Sequence, residues 1–471
     1  MRNAHTRFMC YPSVVCVGKE TEITVYPRDL AYHFSAEKEY EAAVFGLRED
    51  QLDYHAPLPP YDLPCQVVDG CLKVNLTATR EQEYSLRFRE KGENGKGRMV
   101  AMYAVKEDLF VLRPLKGDFH THSYYSDGAD GVPMVPSNYR EEGFDVYALT
   151  DHNRMFPSMA QKAWFEGVDL GLCMMTGEEV HTPGSGVHIV HIGGAESVCE
   201  RYIHHPEQFK AEVAEIEKTL THVDEIYRYR FASAIWACNA IHEVGGIAIF
   251  AHPFWKPDHY NISEDFCNLL FDAKIFDVFE LFNGGYCHED NLQNALWQEQ
   301  RQKGNRIPVV ASSDCHNHDG ENYFGRAFTI VLAEDNTPEA VKAAILAGNS
   351  IAVEVPISNA NEFRAYSPSF RLTAYARFLY EHCFNETWRL CVGEGILMRR
   401  HVWGEPVAEE LSALAPTVEN FYKQFFGRTP APTLSAETLA RLDALRQTQR
   451  TLGPETSGSK LYVYGSNVRH E

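Results

Sequence analysis

Residues 117–122 read Gly-Asp-Phe-His-Thr-His, the first of seven short runs that end in, or beside, a residue type that binds metals. Apolar strands that carry such residues at their ends are typical of a barrel whose strand ends line a site. The sequence therefore predicts a polynuclear metal centre. The other six runs are Ala-Leu-Thr-Asp-His at 148–152, Gly-Glu-Glu-Val-His at 177–181, His-Ile-Val-His-Ile-Gly-Gly at 188–194, Ile-Phe-Ala-His-Pro at 249–253, Glu-Leu-Phe-Asn-Gly at 280–284 and Ala-Ser-Ser-Asp-Cys-His at 311–316.

Two pairs of residues have the spacing that directs both side chains to one ion. Residues i and i+2 of a strand point to the same side, as His120 and His122 would, and Asp314 and His316 repeat this spacing. An isolated pair also fits two polar core histidines, but two pairs at the ends of separate runs favour ligands. His252 follows the run Gly-Gly-Ile-Ala-Ile-Phe-Ala and is interpreted as a ligand as well.

The chain divides into three predicted segments. Residues 1–114 contain at least five short alternating strands, which predict a β-sandwich-like domain. Residues 115–355 alternate strands with helices, including one helix over 209–229 and another over 338–347 capped by Thr337, which predicts parallel β/α units in an α/β barrel. Residues 356–471 are predicted to form a helical extension packed on the barrel.

Composition and charge restrict the class of protein. The 471 residues include 44 Lys and Arg against 65 Asp and Glu, a formal net charge of −21, so a large nucleic-acid footprint is not expected. A small phosphorylated substrate stays compatible, because bound cations dominate the local field. The 12 cysteines form no Cys-x-x-Cys pair and are expected to be reduced. Residues 1–17 lack a signal-type apolar stretch and no run is long enough to span a membrane, so a cytoplasmic location is expected. The oligomeric state stays open.

The motifs resemble, in order, those of the polymerase and histidinol phosphatase (PHP) domain over residues 115–355. They are His-Thr-His at 120–122, Ser-Asp-Gly at 126–128, Thr-Asp-His at 150–152, Gly-Glu-Glu at 177–179, Ala-His-Pro at 251–253 and Ser-Asp-Cys-His at 313–316. The resemblance implies a distorted (β/α)7 TIM-like barrel with two or three divalent ions in its mouth. It implies these metal ligands: His120, His122, Asp127, His152, Glu179, His191, His252, Asp314 and His316.

Two positions offer a neighbouring alternative. Glu179 is preferred over Glu178 because the family acid directly precedes an apolar residue, and it is expected to bridge two cations. His191 is preferred over His188 because the family histidine precedes an apolar-Gly step, and His188 is kept as the alternative. Glu280 and Asn283 are expected to shape the mouth of the site.

The ligand types predict the chemistry. Imidazole and carboxylate without thiolate suit Zn, Mn or Fe, and Cys315 is expected to point away from the ions. Paired cations lower the pKa of bound water, which predicts hydrolysis of a phosphoester by metal-activated hydroxide. Glu179 and Asp314 would then act at the metals, and Arg326 would approach the substrate. Arg154, Lys256 and His318 are further candidates for binding it. Asp118 is expected to orient an imidazole.

Two other functions fit the same residues. A related barrel superfamily, the amidohydrolases, also opens with His-x-His and ends with Asp, but it typically needs a lysine on a middle strand, and none occurs at 177–181 or 191–194. Hydrolysis of carbon esters or amides is therefore the first alternative. The second is a metal-stabilised scaffold without activity, which the complete set of ligand candidates disfavours.

Overall fold

The computed structural model describes residues 7–48, 60–95, 97–284, 287–320, 323–356 and 362–452, and within them the fold is mixed α/β. Residues 357–361, beside the predicted boundary at 355, and residues 453–471 of the predicted C-terminal extension lie outside the described residues. None of the helices in the described ranges combines the length and the apolar character that crossing a membrane requires.

The N-terminal strands form two four-stranded sheets, in the orders β1-β3-β6-β5 and β2-β8-β7-β4. Alternation explains how they pack: in β6, Leu72 and Val74 are buried, whereas Asn75 is exposed. Inward residues of both sheets share one apolar core, which gives a sandwich-like arrangement. The strands are β1 (Phe8–Tyr11), β2 (Val14–Cys16), β3 (Glu20–Pro27), β4 (Tyr40–Gly46), β5 (Cys65–Val68), β6 (Cys71–Thr77), β7 (Gln82–Glu90) and β8 (Arg98–Val105).

The remaining strands form a six-stranded sheet, β11-β10-β9-β17-β18-β19, and a five-stranded sheet, β12-β13-β14-β15-β16. Neither sheet closes on itself in the pairing of the described strands. Two isolated bridges, Thr121 with Cys315 and His152 with Glu179, connect the sheets near the predicted ligands. The strands are β9 (Arg113–Asp118), β10 (Val146–Ala148), β11 (Cys173–Met175), β12 (Gly177–Val180), β13 (Ile189–Ile192), β14 (Ile247–Phe250), β15 (Val278–Asn283), β16 (Val309–Ser312), β17 (Ala327–Ala333), β18 (Ser350–Glu354) and β19 (Arg364–Tyr366).

Strand direction departs from the expected series of parallel units. Strands β9, β10 and β11 are parallel, as are β14, β15 and β16. Strand β13, however, runs antiparallel to both β12 and β14. The first residues of β13 therefore lie beside the last residues of β12.

One helix predicted from the sequence, over 209–229, is wrong because the structure has two helices there. The structure breaks 209–229 into α5 and α6 because Asp224 caps a new helix by accepting from the Ile226 N–H. Thr337 caps α9 as predicted. The helices are α1 (Glu107–Phe110), α2 (Val135–Glu141), α3 (Phe156–Ala163), α4 (Cys199–His204), α5 (Pro206–Thr219), α6 (Glu225–Glu243), α7 (Glu264–Ala273), α8 (Cys287–Gln302), α9 (Pro338–Leu346), α10 (Phe370–Phe378), α11 (Asn385–Val402), α12 (Ala408–Leu414), α13 (Pro416–Phe425) and α14 (Ala436–Leu452), with a 3-10 turn at Leu30–Tyr32 and a π-helical turn at Leu379–Phe384.

Helix α11 packs closely on α2 through a buried ion pair. Gly395 permits the approach, because a Cβ there would overlap the backbone of Glu141. Arg140 Nε donates to Glu394 Oε2 at 2.6 Å, and both side chains are buried. The other oxygen of Glu394 accepts from the Gly171 N–H at 2.6 Å. Glu394 therefore joins the C-terminal helices to two segments beside the six-stranded sheet.

The Glu394→Ala substitution is expected to lower the free energy of unfolding by about 3 kcal/mol, because the buried Arg140 guanidinium loses its hydrogen-bonded carboxylate and keeps only Asp145, at 3.7 Å. Chemical denaturation measures the change. The matched control is Glu437→Ala, which removes an exposed pair with Arg441 and should cost no more than about 0.5 kcal/mol. Equal effects of the two substitutions would contradict the prediction.

Candidate metal centre

Glu179 lies at the centre of a buried cluster of imidazoles. Its side chain has 0% exposure, and six histidines surround its two carboxylate oxygens. The distances to Oε2 are 2.7 Å from His152 Nδ1, 3.4 Å from His120 Nε2 and 3.6 Å from His122 Nε2; those to Oε1 are 3.0 Å from His181 Nε2, 3.1 Å from His188 Nδ1 and 3.3 Å from His252 Nε2.

Several of these buried atoms have no hydrogen-bond partner. Both oxygens of Glu179 are among them, together with ring nitrogens of His120, His152, His181 and His188. Buried polar atoms are nearly always paired, because an unpaired group keeps its full desolvation cost. Nitrogen and oxygen donors that converge without hydrogen bonds fit cations, which would satisfy all of them together.

Asp314, with a side-chain exposure of 12%, supplies a second carboxylate to the cluster. Its Oδ1 lies 2.9 Å from His122 Nε2 and 3.2 Å from His120 Nε2, and its Oδ2 lies 3.9 Å from His252 Nε2. Both Asp314, with φ of 51°, and His252, with φ of 21°, have positive φ values that non-glycine residues rarely adopt. Backbone strain at two predicted ligands is typical of a functional site.

A third group of donors lies at the open side of the cluster. Asp127 has a side-chain exposure of 56%, and its oxygens lie 3.3 Å from His152 Nε2 and 3.3 Å from His316 Nε2. His122 Nδ1 is 4.0 Å from the same carboxylate. One atom from each of these four residues lies within 4.8 Å of the others, so this group can hold an ion of its own.

The strand ends bring the two spaced pairs together. The His122 N–H donates to the Cys315 carbonyl, and the Asp314 N–H donates to the His120 carbonyl, both at 2.9 Å. These bonds align the segment after β9 with the segment after β16. Every predicted ligand except His191 has a donor atom in one of the groups. Metal binding by these residues stays a prediction.

His191 is not brought to the cluster, and His188 takes the predicted place. In the antiparallel pairing, His191 lies opposite Glu178 and Val190 lies opposite Glu179. His191 and Glu178 therefore share the other face of the sheet, where His191 Nδ1 lies 3.0 Å from Glu178 Oε1. His188 is two residues before Val190 and shares the face of Glu179. This corrects the assignment of His191 and leaves Glu178 outside the groups.

His181 is a further donor that was not singled out from the sequence. It lies two residues after Glu179, the same i, i+2 spacing that identified His120 and His122. Its ring stacks on that of His188 with centroids 3.8 Å apart. His181 can complete a group with His152 and Glu179. The spacing was therefore a usable signal for it.

Glu280, rather than Asp118, orients an imidazole of the cluster. Glu280 Oε1 lies 3.0 Å from His120 Nδ1, and its Oε2 accepts from the His252 N–H at 3.1 Å and from Asn283 Nδ2 at 3.0 Å. Asp118 instead accepts from the backbone N–H groups of His120 and Ser313. The expected role of Asp118 is corrected: it positions the backbone, and Glu280 positions the ring.

The Glu280→Gln substitution is expected to weaken metal affinity about 10- to 100-fold, because the amide replaces one of the two oxygens that hold His120 and the His252 backbone. Titration of metal against a competing chelator measures this. Asp277→Asn is the control, since Asp277 pairs with His242 and the Ala248 N–H at the opposite end of β14. A Glu280→Gln protein with the affinity of the control would contradict the prediction.

Arg326 is the cation predicted to approach the substrate. Arg326 is two residues before Phe328, and the outward face of β17, with Phe328 and Ile330, packs against the C-terminal helices. Burial raises the pKa of Tyr380, and the nearby charge of Arg326 opposes that rise. The charge of Arg326 therefore acts on Tyr380, which packs with the C-terminal helices, and its assignment as a catalytic residue stays a prediction.

Of the other substrate-binding candidates, one is buried and two are exposed. His318 Nδ1 lies 2.8 Å from Asp130 Oδ2 and its Nε2 lies 3.2 Å from Thr121 Oγ1, so it ties two segments near the site together. Lys256 lies over the ring of Tyr260, and Arg154 is exposed after the loop that carries His152.

The carboxylates of the cluster raise the pKa of His120 and His152, so the site favours positive charge. Burial would lower the pKa of His120, but Asp314, Glu280 and Glu179 raise it well above its usual value. Burial opposes the shift at His152 as well, yet Asp127 and Glu179 raise its pKa to about 10. Burial would raise the pKa of Glu179, and the surrounding imidazoles lower it well below its usual value. Concentrated carboxylate charge of this kind suits divalent cations.

No family model matches the chain. A segment of 58 residues, 12% of this chain, is 34% identical to the DNA polymerase/3'-5' exonuclease PolX of Bacillus subtilis. The match spans 10% of that curated relative.

Similar solved structures include PHP-like metal-dependent phosphoesterases and an amidohydrolase. A two-domain protein from Bacteroides vulgatus containing a predicted PHP-like metal-dependent phosphoesterase is 18% identical, with 51% of this chain and 65% of that chain covered and a TM-score of 0.37. A predicted metal-dependent phosphoesterase from Bifidobacterium adolescentis is 16% identical, with coverage of 49% and 95% and a TM-score of 0.33. An amidohydrolase from Chromobacterium violaceum is 19% identical, with coverage of 44% and 89% and a TM-score of 0.29.

Proposed function

We propose that the chain is a metal-dependent phosphoesterase that releases phosphate from a small phosphorylated metabolite or nucleotide. The observation that carries the proposal is the buried Glu179 carboxylate, which is surrounded by six imidazoles. The facing nitrogens of His120, His152, His181 and His188 have no hydrogen-bond partner. Imidazole and carboxylate donors without thiolate suit Zn, Mn or Fe. The motif order of the PHP resemblance supports the same reaction class.

Two or three cations are proposed, held by overlapping groups of residues. Glu179 belongs to more than one group, and its two oxygens face different histidines, so it can serve two ions. The first group is His120, His122, Glu179 and Asp314; the second is Glu179, His188 and His252; the third is Asp127, His152 and His316.

The residues have different roles in the proposed reaction. When bound, paired cations lower the pKa of water and neutralise phosphate charge. Glu179 and Asp314 hold the imidazoles in place from the buried side. Glu280 holds the His120 ring and the His252 backbone, so that both stay in register. Asp127 and His316 are half-exposed and form the side from which a substrate enters.

The finer architecture is part of the proposal. We infer that the two sheets of residues 115–355 form a distorted (β/α)7 barrel, which the two bridges between them support. Residues 1–114 and 356–471 would be the β-sandwich-like and helical segments that flank it.

Metal analysis together with a substrate panel tests the proposed function. Purified protein is expected to contain at least two equivalents of transition metal and to hydrolyse phosphomonoesters. Removal of the metal with a chelator should abolish the activity and lower the melting temperature, because ions that bind only the folded state stabilise it. Readdition of metal should restore both.

The same panel separates the alternatives. Turnover of carboxyl esters or amides without turnover of any phosphoester would favour the carbon-ester or amide hydrolase. Bound metal without turnover of any substrate would favour the scaffold. Protein without metal, and with activity that chelators do not change, would reject all three.

A further inference from the structure

Three exposed aromatic side chains form a contiguous patch beside the candidate metal centre. Tyr124, Tyr125 and Phe156 are 55%, 37% and 58% exposed, and together they are called the aromatic patch. The rings of Tyr124 and Tyr125 lie 4.6 Å apart at 31°, and those of Tyr125 and Phe156 lie 6.0 Å apart at 77°. Single exposed apolar residues are ordinary, whereas a contiguous patch is typical of a binding site.

The aromatic patch lies on the two chain segments that carry Asp127 and His152, which belong to the exposed group of donors. Tyr125 is two residues before Asp127, and Phe156 is four residues after His152. The Asp127 carboxylate meets the His152 ring at 3.3 Å, so the two segments that carry the rings converge where a substrate would enter. A group attached to a phosphate at this centre would pass beside the rings.

Asp151 makes the segment that carries the tyrosines rigid. Its carboxylate accepts from the Ser123 N–H at 2.8 Å, from Ser123 Oγ at 2.7 Å and from Ser126 Oγ at 2.6 Å. Gly128 packs so closely on His122 that a Cβ would overlap its carbonyl. A backbone fixed in this way reduces the freedom that the segment with Tyr124 and Tyr125 loses on binding, which favours recognition by stacking.

We propose that the aromatic patch selects substrates whose organic group carries a planar ring, of which a nucleoside monophosphate is the natural example. This inference rests on the proposed phosphoesterase function and deepens it. A planar ring stacks on tyrosine and phenylalanine faces, and the contact does not depend on the sign of the charge. A phosphorylated sugar that carries no planar aromatic group gains no such stacking contact.

Adenosine 5′-monophosphate and ribose 5-phosphate form the matched pair for the test, because they share the phosphorylated ribose and differ in the base. The holoenzyme is expected to show a kcat/KM about tenfold higher for the nucleotide, mainly through KM. Tyr125→Leu and Phe156→Leu should each lower this ratio, and Tyr125→Phe should keep it. Trp164→Leu is the control, because Trp164 is an exposed aromatic residue just beyond the far end of α3.

A binding measurement separates failure of the patch from failure of the proposed function. Phosphonate analogues of both compounds, with CH2 in place of the ester oxygen, are titrated calorimetrically into the holoenzyme. About tenfold tighter binding of the nucleotide analogue, lost in Tyr125→Leu, supports the patch. Equal affinities overturn it, even if both phosphates are hydrolysed. Preferential binding of the nucleotide analogue without hydrolysis of any phosphomonoester rejects the phosphoesterase and keeps the patch.

Discussion

Glu179→Gln is expected to release at least one equivalent of metal and to lower kcat roughly a thousandfold, because several kcal/mol of transition-state stabilisation depend on cations held by this carboxylate. Glutamine has the same shape, so the loss reports the charge and the second oxygen rather than packing. Six ring nitrogens lie between 2.7 and 3.6 Å from the Glu179 oxygens, and an amide nitrogen cannot coordinate a cation among them. Metal content by mass spectrometry and steady-state kinetics measure the two effects.

Glu178→Gln is the matched control for this substitution. Glu178 is equally buried and adjacent in sequence, but its carboxylate bonds to His191, Ser197 and the Val198 N–H on the other face of the sheet. It should therefore lower stability and leave the metal content unchanged. Loss of metal from Glu178→Gln, with retention in Glu179→Gln, would reverse the assignment of the two acids.

Side-chain spacing was the part of the site that the sequence could predict. His120 with His122, and Asp314 with His316, follow from the two-residue period of an extended chain, which needs no knowledge of neighbouring strands. The choice of Glu179 depended on the PHP resemblance. The structure places it on the face that the other donors share. In the N-terminal segment, alternation likewise predicted strands before their sheets were known.

Strand direction and the facing partner were the parts that the sequence could not predict. His191 was preferred because it precedes an apolar-Gly step, as the family histidine does, and this local pattern carries no information on strand direction. Because β13 runs antiparallel to β12, its beginning meets the site instead, and His188 is the residue there. The expected role of Asp118 failed for a similar reason: it lies near ligands in sequence, but the contacts of its side chain depend on long-range packing.

The His188→Ala and His191→Ala substitutions test this reversal and are expected to have opposite effects. His188 Nδ1 lies 3.1 Å from Glu179 Oε1, and its ring packs on His181, His252 and Trp255. Loss of this donor should weaken metal binding and lower kcat/KM at least about a hundredfold, because a coordinating nitrogen contributes more than the supporting groups around it. Metal titration and steady-state kinetics measure the change.

His191→Ala should instead keep the metal and lose stability. The His191 ring is fully buried against Gly194 and Gly246, where any Cβ would overlap it, and it bonds to the buried Glu178. Its removal leaves a cavity and an acceptor with one partner fewer, which should cost about 1–3 kcal/mol of unfolding free energy. Chemical denaturation measures this cost. A His191→Ala protein that folds normally but lacks metal, beside a His188→Ala protein that retains it, would restore the assignment made from the sequence.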